Sequence, residues 1–325
     1  MPREARVLVD GRWTGRHGIA RFAHEVVPRL RTPHHSLRGP ADPLSPLDLL
    51  NPDRLRLGRR DVVFSPGFNA GLTRARQLLT LHDLIHLVDP DERDPRKTFY
   101  YERLVRPAAE HAGRVLTVSR TSQVAVQGWL GHSIEVVDVG NGCSDVFFDV
   151  TPSLDRSGVL YVGNLKPHKN PAAAFAAVAA IPNLRFTVVT ADVERANVLA
   201  TEFGVRDRTT VRSGVSDVEL AGLYAAAAAL LLPSLIEGFG LPAAEALATG
   251  CPVVHWSGCA AVAEICGGDG EAVENAHEAD GWASALARAL ESPRERARAR
   301  MRQDYSWDVV ADRVDAALAG LTGVS

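Results

Sequence analysis

Lysine is nearly missing from this chain. Of its 36 basic residues only Lys97, Lys166 and Lys169 are lysine, and the rest are arginine. Base composition accounts for that preference, so the places of the three lysines say more than their number. Long apolar runs are also absent. The longest, Ala172–Ile181 and Leu223–Leu232, reach about half of the roughly 20 residues that span a bilayer. Charge appears within the first six residues, and a short strand pattern follows it, which excludes a secretory signal. Cysteine is scarce: Cys143, Cys251, Cys259 and Cys266 form no C-x-x-C pair, which argues against a zinc site or a disulfide framework. No excess of one charge exists either. The net charge of −3 excludes a general polyanion binder, which shows a basic face and a high pI, while leaving room for a local basic groove. The expectation is a soluble cytoplasmic protein with reduced thiols and no nucleic-acid partner.

What is present is enough for ordinary cores: 46% of the 325 residues are apolar, and the length suits two domains or one large one. Short apolar runs alternate with helix-like stretches. Val7–Val9, Val62–Phe64, Leu78–Leu81, Val115–Val118 and Ile134–Val139 read as strands in the first half. Val159–Val162, Phe186–Val189, Thr209–Val211, Ala229–Leu232 and Pro252–His255 repeat the pattern in the second. Strands alternating with helices predict parallel sheets built from βαβ units. Two such series predict two doubly wound α/β domains, with a boundary in the aperiodic stretch Val150–Ser157. Residues 32–60, with Pro33, Pro40, Pro43, Pro46 and Pro52, read as an irregular surface excursion. The spacing of Val309, Val310, Val314, Ala317 and Leu318 predicts a final amphipathic helix over Trp307–Leu321.

Two segments carry chemistry. In the first, the strand end Leu230–Ser234 leads to Glu237-Gly238-Phe239-Gly240-Leu241-Pro242-Ala243-Ala244-Glu245. Pro242 suits the first turn of a helix, where its missing N–H costs nothing. Glu237 would then stand at the carboxyl edge of the sheet, where open α/β sheets bind ligands. Gly238 and Gly240 allow close backbone approach, and the helix start can hold phosphate. Two carboxylates would flank that anion site, able to accept from sugar hydroxyls. Taken singly, Glu245 could merely complement the helix dipole and Glu237 could be a solvated loop residue.

The second segment is Tyr161-Val162-Gly163-Asn164-Leu165-Lys166-Pro167-His168-Lys169-Asn170-Pro171. Asn170 reads as N-cap and Pro171 as the first residue of a helix over Ala172–Ala180. Lys169 precedes the cap, where a cation opposes the helix dipole by roughly 0.3–1 kcal/mol. An anion bound between lysine and helix would explain the choice; a lysine swung into solvent is the alternative.

Together the two segments resemble the retaining glycosyltransferases of family 4, the group 1 glycosyltransferases with the GT-B fold. The resemblance runs from about Val7 to Leu321. Val162–Leu165 through Asn170 is similar to the family's donor-phosphate segment, and Glu237 with Glu245 to its E-x7-E motif. Ser216–Leu220 with Leu223-Tyr224, Thr249–Val254 and Ala263–Ile265 follow in the family's order. In the first half, Gly18–Phe22, Thr80–Leu84, Thr117–Arg120 and Val139–Gly142 do the same.

The resemblance implies two doubly wound Rossmann-like domains facing each other across a cleft. Residues 1–152 would form the acceptor side and 153–305 would bind the nucleotide sugar, with a helix over 306–325 crossing back. It implies that Glu237 holds the donor sugar and that His82 approaches sugar and acceptor. Lys169 would contact the diphosphate, and Glu245 the ribose hydroxyls. Backbone N–H groups of Gly238, Phe239, Gly240 and Leu241 would help hold the donor, with Gly18 close by. Many relatives carry an arginine beside the lysine; here those places hold Asn164 and His168, so Lys166 or a charged His168 would supply the second cation. A histidine beside phosphate would make donor binding depend on pH.

The implied activity moves a hexose from a nucleotide-diphosphate sugar to a hydroxyl of a glycan, lipid-linked or small-molecule acceptor, with retention and without a metal or other cofactor. The Val-Gly-Asn-Leu variant is most similar to transferases using GDP-mannose or deoxysugar nucleotides. At most peripheral membrane contact is expected, and the oligomeric state stays open. The alternative is a catalytically silent nucleotide-sugar-binding subunit of a glycan-assembly complex. A nicotinamide oxidoreductase would need G-x-G-x-x-G after a strand, and no convincing example exists. Asp89-Pro90-Asp91, in a charged loop, and the His82, His86 pair, off any helical H-E-x-x-H pattern, are discounted as metal sites. Arg93–Arg106, with Phe99, Tyr100 and Tyr101, reads as a solvated helix face.

Overall fold

The computed structural model describes residues 5–15, 17–40, 42–90, 92–153, 155–291 and 295–322. The chain divides into two compact units. The first is Met1–Gly142 with Trp307–Ser325, and the second is Cys143–Ser306. The change of unit thus comes ahead of the aperiodic stretch that marked it in the sequence.

In the first unit β1 (Val7–Val9), β2 (His35–Ser36), β3 (Val62–Ser65) and β4 (Arg76–Leu79) make a parallel sheet in the order β2-β1-β3-β4. β5 (Arg114–Thr117) and β6 (Glu135–Asp138) pair in parallel, and a bridge from Thr80 to Leu116 joins them to β4. β3 is buried throughout, which is why it reads as an unbroken apolar run and not as an alternating one. Leu79, Leu81, Tyr101, Val105, Val115, Val126 and Val136 form the core on one side of this sheet.

Two expectations change here. Residues 32–60 are not only surface: they supply β2, a 3-10 turn over Pro46–Leu50 and a short helix over Pro52–Leu55, and they bury Asp48, Asn51 and Arg54. The prolines fix the turns, and buried charges opposite the segment hold it down. The Arg93–Arg106 stretch likewise turns one side inward. Helices Pro95–Tyr100 and Arg106–Ala112 flank a π turn over Tyr101–Val105, where Pro107 has no N–H to continue the ladder. Tyr101 and Val105 are buried and Phe99 is exposed.

The last helix, Trp307–Thr322, belongs to the first unit. Its Asp315 carboxylate accepts from the backbone N–H groups of Arg31 (2.8 Å) and Thr32 (2.9 Å). A Cβ at Gly142 would stand 2.4 Å from Trp307, so only glycine lets the strand exit pass beneath that indole.

In the second unit β7 (Val159–Val162), β8 (Phe186–Val189), β9 (Thr209–Arg212), β10 (Ala229–Leu232), β11 (Val253–Trp256) and β12 (Glu271–Val273) form one parallel sheet, ordered β12-β11-β10-β7-β8-β9. The winding reverses between β7 and β10. Outside the carboxyl ends of those two strands lies the crevice where doubly wound sheets take ligands. The core is rich in alanine, with Tyr161, Phe175, Phe186 and Trp282 as its large members. Small side chains let the helix Pro171–Ala180 lie close on the sheet, and three of its alanines, Ala173, Ala174 and Ala177, join Phe175 in the core.

Candidate active site

Both chemistry-bearing segments leave the sheet at the reversal point. β7 ends at Val162, and Gly163 turns the chain with φ +153° while its N–H donates to Val189 O (3.0 Å). A single 3-10 turn, Pro167–Lys169, then carries Lys169 up to the helix Pro171–Ala180. β10 ends at Leu232, and Pro233–Gly240 leads to the helix Leu241–Ala248. Leu235 N–H donates to His168 O (2.7 Å), so the two loops are tied backbone to backbone.

That tie places Lys169 against Glu237. The ammonium Nζ donates to Glu237 Oε1 at 2.6 Å, and the two side chains keep 18% and 10% of their surface in water. The same oxygen accepts from Ser234 Oγ (2.8 Å), a buried hydroxyl three residues upstream. The lysine that would oppose a helix dipole therefore has a carboxylate as its counter-charge. Such charge-assisted bonds are roughly twice as strong as neutral ones. Glu237 is also felt by its neighbours. Burial, and then the Glu237 charge, pushes the Tyr161 phenol up, and the same two causes push the Cys259 thiol up to about 12. Tyr161 OH donates to Asn164 O (2.7 Å), and the Asn164 side chain accepts from Lys166 N–H (3.2 Å). Asn164 and Lys166 themselves are exposed.

Asn170 stands at the head of its helix, but its side chain does not cap it. The residue is left-handed (φ +47°) and its Nδ2 donates to Ala276 O (3.0 Å). The expected cap is thus a cross-link between the lysine loop and the segment after β12. Its short amide tolerates the left-handed conformation that a cap would not use.

The glycine loop is tightly enclosed. Gly238, Phe239 and Gly240 are buried. Gly240 has φ +106°, and a Cβ there would press on Val262 Cγ2 at 3.1 Å. Glycine is needed on both counts. Pro242 occupies the first turn of the helix as expected. One turn on, Glu245 is only 4% exposed, and its Oε2 accepts from Tyr224 OH (3.1 Å). Tyr224 comes from the helix Asp217–Ala226, which opens with a full capping box between Ser216 and Glu219.

The first unit gathers two further predicted residues at the end of its own sheet. His82 follows β4, and its Nε2 contacts Pro66 O at 2.9 Å. A carbonyl can only accept, so Nε2 carries the proton and Nδ1 is the basic nitrogen. Burial pushes this imidazole below the ordinary histidine value, against the Pro66 carbonyl and Asp83, which act upward. Phe22, on the helix that begins at Gly18, meets the His82 ring edge to face at 5.2 Å. His17 caps that helix by accepting from Ala20 N–H (3.3 Å).

Sequence reasoning missed Ser234 and Cys259. Nothing in the local pattern marks a serine three residues before a glutamate or a cysteine before a helix; only the fold brings them to Glu237. Of the D-x-D motif, Asp91 lies outside the described residues. Among the described residues no group of three or more His, Cys, Asp or Glu side chains could hold a metal ion, and no helix is long and apolar enough to cross a membrane.

Comparison with known proteins bears on the same region. Residues 146–304 match the profile of the family described as Glycosyl transferases group 1. An MMP alpha-(1->4)-mannosyltransferase of Mycolicibacterium hassiacum is 41% identical over 121 residues, which cover 35% of this chain and 29% of that protein. The match thus spans less than a third of that relative's length. The O-antigen chain mannosyltransferase B of Escherichia coli is 27% identical over 289 residues, covering 80% of this chain and 75% of that one. Among solved structures, sucrose-phosphate synthase from Thermosynechococcus elongatus superposes with a TM-score of 0.78 over 99% of this chain and 100% of its own, at 18% identity. That likeness shows the fold, GT-B, with two Rossmann-like units. Profile and relatives point the same way: over residues 146–304 the chain is similar to the group 1 glycosyltransferases.

Proposed function

We propose that the protein is a retaining, metal-independent glycosyltransferase of family 4, which moves a hexose from a nucleotide-diphosphate sugar to an acceptor hydroxyl. The observation that carries this reading is the Lys169–Glu237 pair at the reversal point of the second sheet, beside a buried glycine loop that opens a helix. The pair is a counter-charge arrangement that a bound diphosphate sugar can take over.

The reaction separates charge: the sugar becomes cationic while the diphosphate gains negative charge. In this reading Lys169 leaves Glu237 for the diphosphate and stabilises the leaving group where charge develops. Lys166 or His168 assists, and backbone N–H groups from Gly238 to Leu241 complete the hold. Glu237, kept in place by Ser234, turns to the sugar, orients it and stabilises its positive charge. Glu245, preset by Tyr224, accepts from the ribose hydroxyls. His82 of the first unit serves sugar and acceptor as a neutral imidazole. Acceptor attack comes from the face that the phosphate leaves, and the phosphate takes the acceptor proton. No two-carboxylate hydrolase mechanism is required.

The mannosyltransferase names among the relatives support mannose as donor sugar; the Val162–Leu165 segment is the ground for proposing GDP as its nucleotide, and a glycan, lipid-linked or small-molecule acceptor completes the reading. The four free, buried cysteines support a reducing, cytoplasmic setting. Thermal unfolding against a panel of nucleoside diphosphates and nucleotide sugars tests the reading. Stabilisation by a nucleoside diphosphate and by one nucleotide sugar is expected; no shift with any nucleotide overturns it. Binding of donors with neither transfer nor hydrolysis would make the chain a silent nucleotide-sugar-binding subunit instead.

A further inference from the structure

The first unit carries a second feature, away from the residues assigned to the reaction. Eleven large apolar side chains are exposed among the described residues, and every leucine among them lies in the segment from Leu44 to Leu72. Leu47 and Leu50 stand on the 3-10 turn Pro46–Leu50 and are 76% and 63% exposed. Leu55 ends the short helix that follows, and Leu72 lies on the loop before β4. The segments touch: Leu72 N–H donates to Leu49 O (2.9 Å), and Thr73 Oγ1 donates to Arg54 O (2.6 Å). The segments that carry these exposed leucines are therefore held together.

Arginines rim them. Arg56, Arg59, Arg60 and Arg74 are exposed, and with Leu55 and Thr73 they line one surface depression. The acidic neighbours are largely spoken for. Asp48 is buried against Arg12 and Asn51, Asp61 is bonded to Arg6, and Asp53 accepts from Arg38 N–H.

From this geometry we propose that the Leu47–Leu72 face docks the protein on an anionic lipid bilayer. The leucines enter the boundary between headgroups and acyl chains, and the arginines of the depression pair with lipid phosphates. An apolar patch flanked by basic side chains is the pattern of interfacial binding. The four exposed arginines, whose one acidic neighbour in the depression, Asp61, is bonded to Arg6, also disfavour the competing occupant, a second copy of this chain. A two-fold contact centred on the leucines would set Arg59 and Arg60 of one copy against those of the other, and like charges across an interface oppose association. The inference rests on the surface of the first unit alone and stands apart from the donor reading.

The test is co-sedimentation of the full chain with vesicles at low salt. Phosphatidylcholine vesicles containing phosphatidylglycerol should bind it, and vesicles of phosphatidylcholine alone should not. Exposed arginines contribute about fivefold each near an anionic surface, so Arg59→Gln with Arg60→Gln should weaken binding by about 20–30-fold. Leu47→Ser with Leu50→Ser should weaken it by about tenfold or more. All four positions are exposed, so circular dichroism should show the parent fold in both double variants. Equal binding to the two kinds of vesicle would overturn the proposal, as would parent-like binding by both double variants. So would a concentration-dependent dimer lost in the leucine variant without any binding to vesicles, which would assign the face to a second copy.

Discussion

Each unit holds a cluster of opposite charges where strands end, and the two clusters differ in their access to water. In the first unit Asp10, just past β1, pairs with Arg12 (2.6 Å), and Arg12 also pairs with Asp48 (2.7 Å). Arg54 lies across both carboxylates (3.4 and 3.5 Å) with no exposed surface. Gln77, Asn69 and Asn51 supply further hydrogen bonds. Arg12 keeps 12% of its side-chain surface in water, but Arg54 and Asp10 keep none; in the second unit Lys169 and Glu237 meet at 2.6 Å and both touch solvent.

A sealed cluster must satisfy itself, because each unpaired charge in a low-dielectric interior is costly. It therefore specifies structure. A pair that touches water can exchange one partner for a ligand at little desolvation cost, and therefore suits binding. Both places pair carboxylates with basic side chains; the full burial of Arg54 and Asp10 separates their use.

Breaking the sealed cluster should have the largest effect. Arg54→Met leaves Asp10 and Asp48 without part of their counter-charge and should destabilise the first unit by about 3–5 kcal/mol. Urea unfolding with hydrogen exchange resolved by unit checks this, and the second unit should keep its protection. Glu237→Gln tests the other side. Transfer should fall by about 10²–10³-fold, while nucleotide affinity and unfolding temperature stay near those of the parent. A large loss of stability in this variant would mean that the pair is a structural device as well.

The pH dependence of stability sharpens the contrast. Burial alone would raise the Asp48 carboxyl, but hydrogen bonds from Arg12 and Asn51 and the nearby Arg54 charge bring it below the ordinary carboxylate value. With the folded pKa depressed, the unfolded chain takes up protons first. The stabilisation is complete above the unfolded carboxylate pKa of about 4 and is lost as pH falls below it. Thermal unfolding from about pH 6 down to 3 should show the first unit failing ahead of the second. The smallest effect is expected from Tyr224→Phe, which removes one hydrogen bond to Glu245. It should weaken nucleotide binding by about 3–10-fold, read by titration calorimetry, with little change in kcat.

Much of this was legible in the sequence. Buried parallel strands are short apolar runs between turn residues, so nine of the strands expected fall on observed ones, and the tenth, expected at Leu78–Leu81, begins earlier, at Arg76. β2 and β12 escaped because two or three residues at a sheet edge carry no period. The segments around Lys169 and Glu237 were visible because strand end, glycine turn and proline-led helix are local signals. Asn170 was misread as a cap because its partner, Ala276, is 106 residues away. The buried role of residues 32–60 was hidden for the same reason, since charged and proline-rich stretches look like surface until their partners are known.

The sequence by itself determined two parallel α/β units and the two loops that carry the candidate site, because local propensity and apolar period set them. It also placed two of only three lysines beside a strand end. Tertiary structure alone decided that Lys169 and Glu237, 68 positions apart, share one hydrogen bond, that Ser234 and Tyr224 hold the two glutamates, and that Arg54 is sealed while the leucines near it are not. Those outcomes depend on which groups lose their water when the chain packs, and desolvation belongs to the packed chain as a whole.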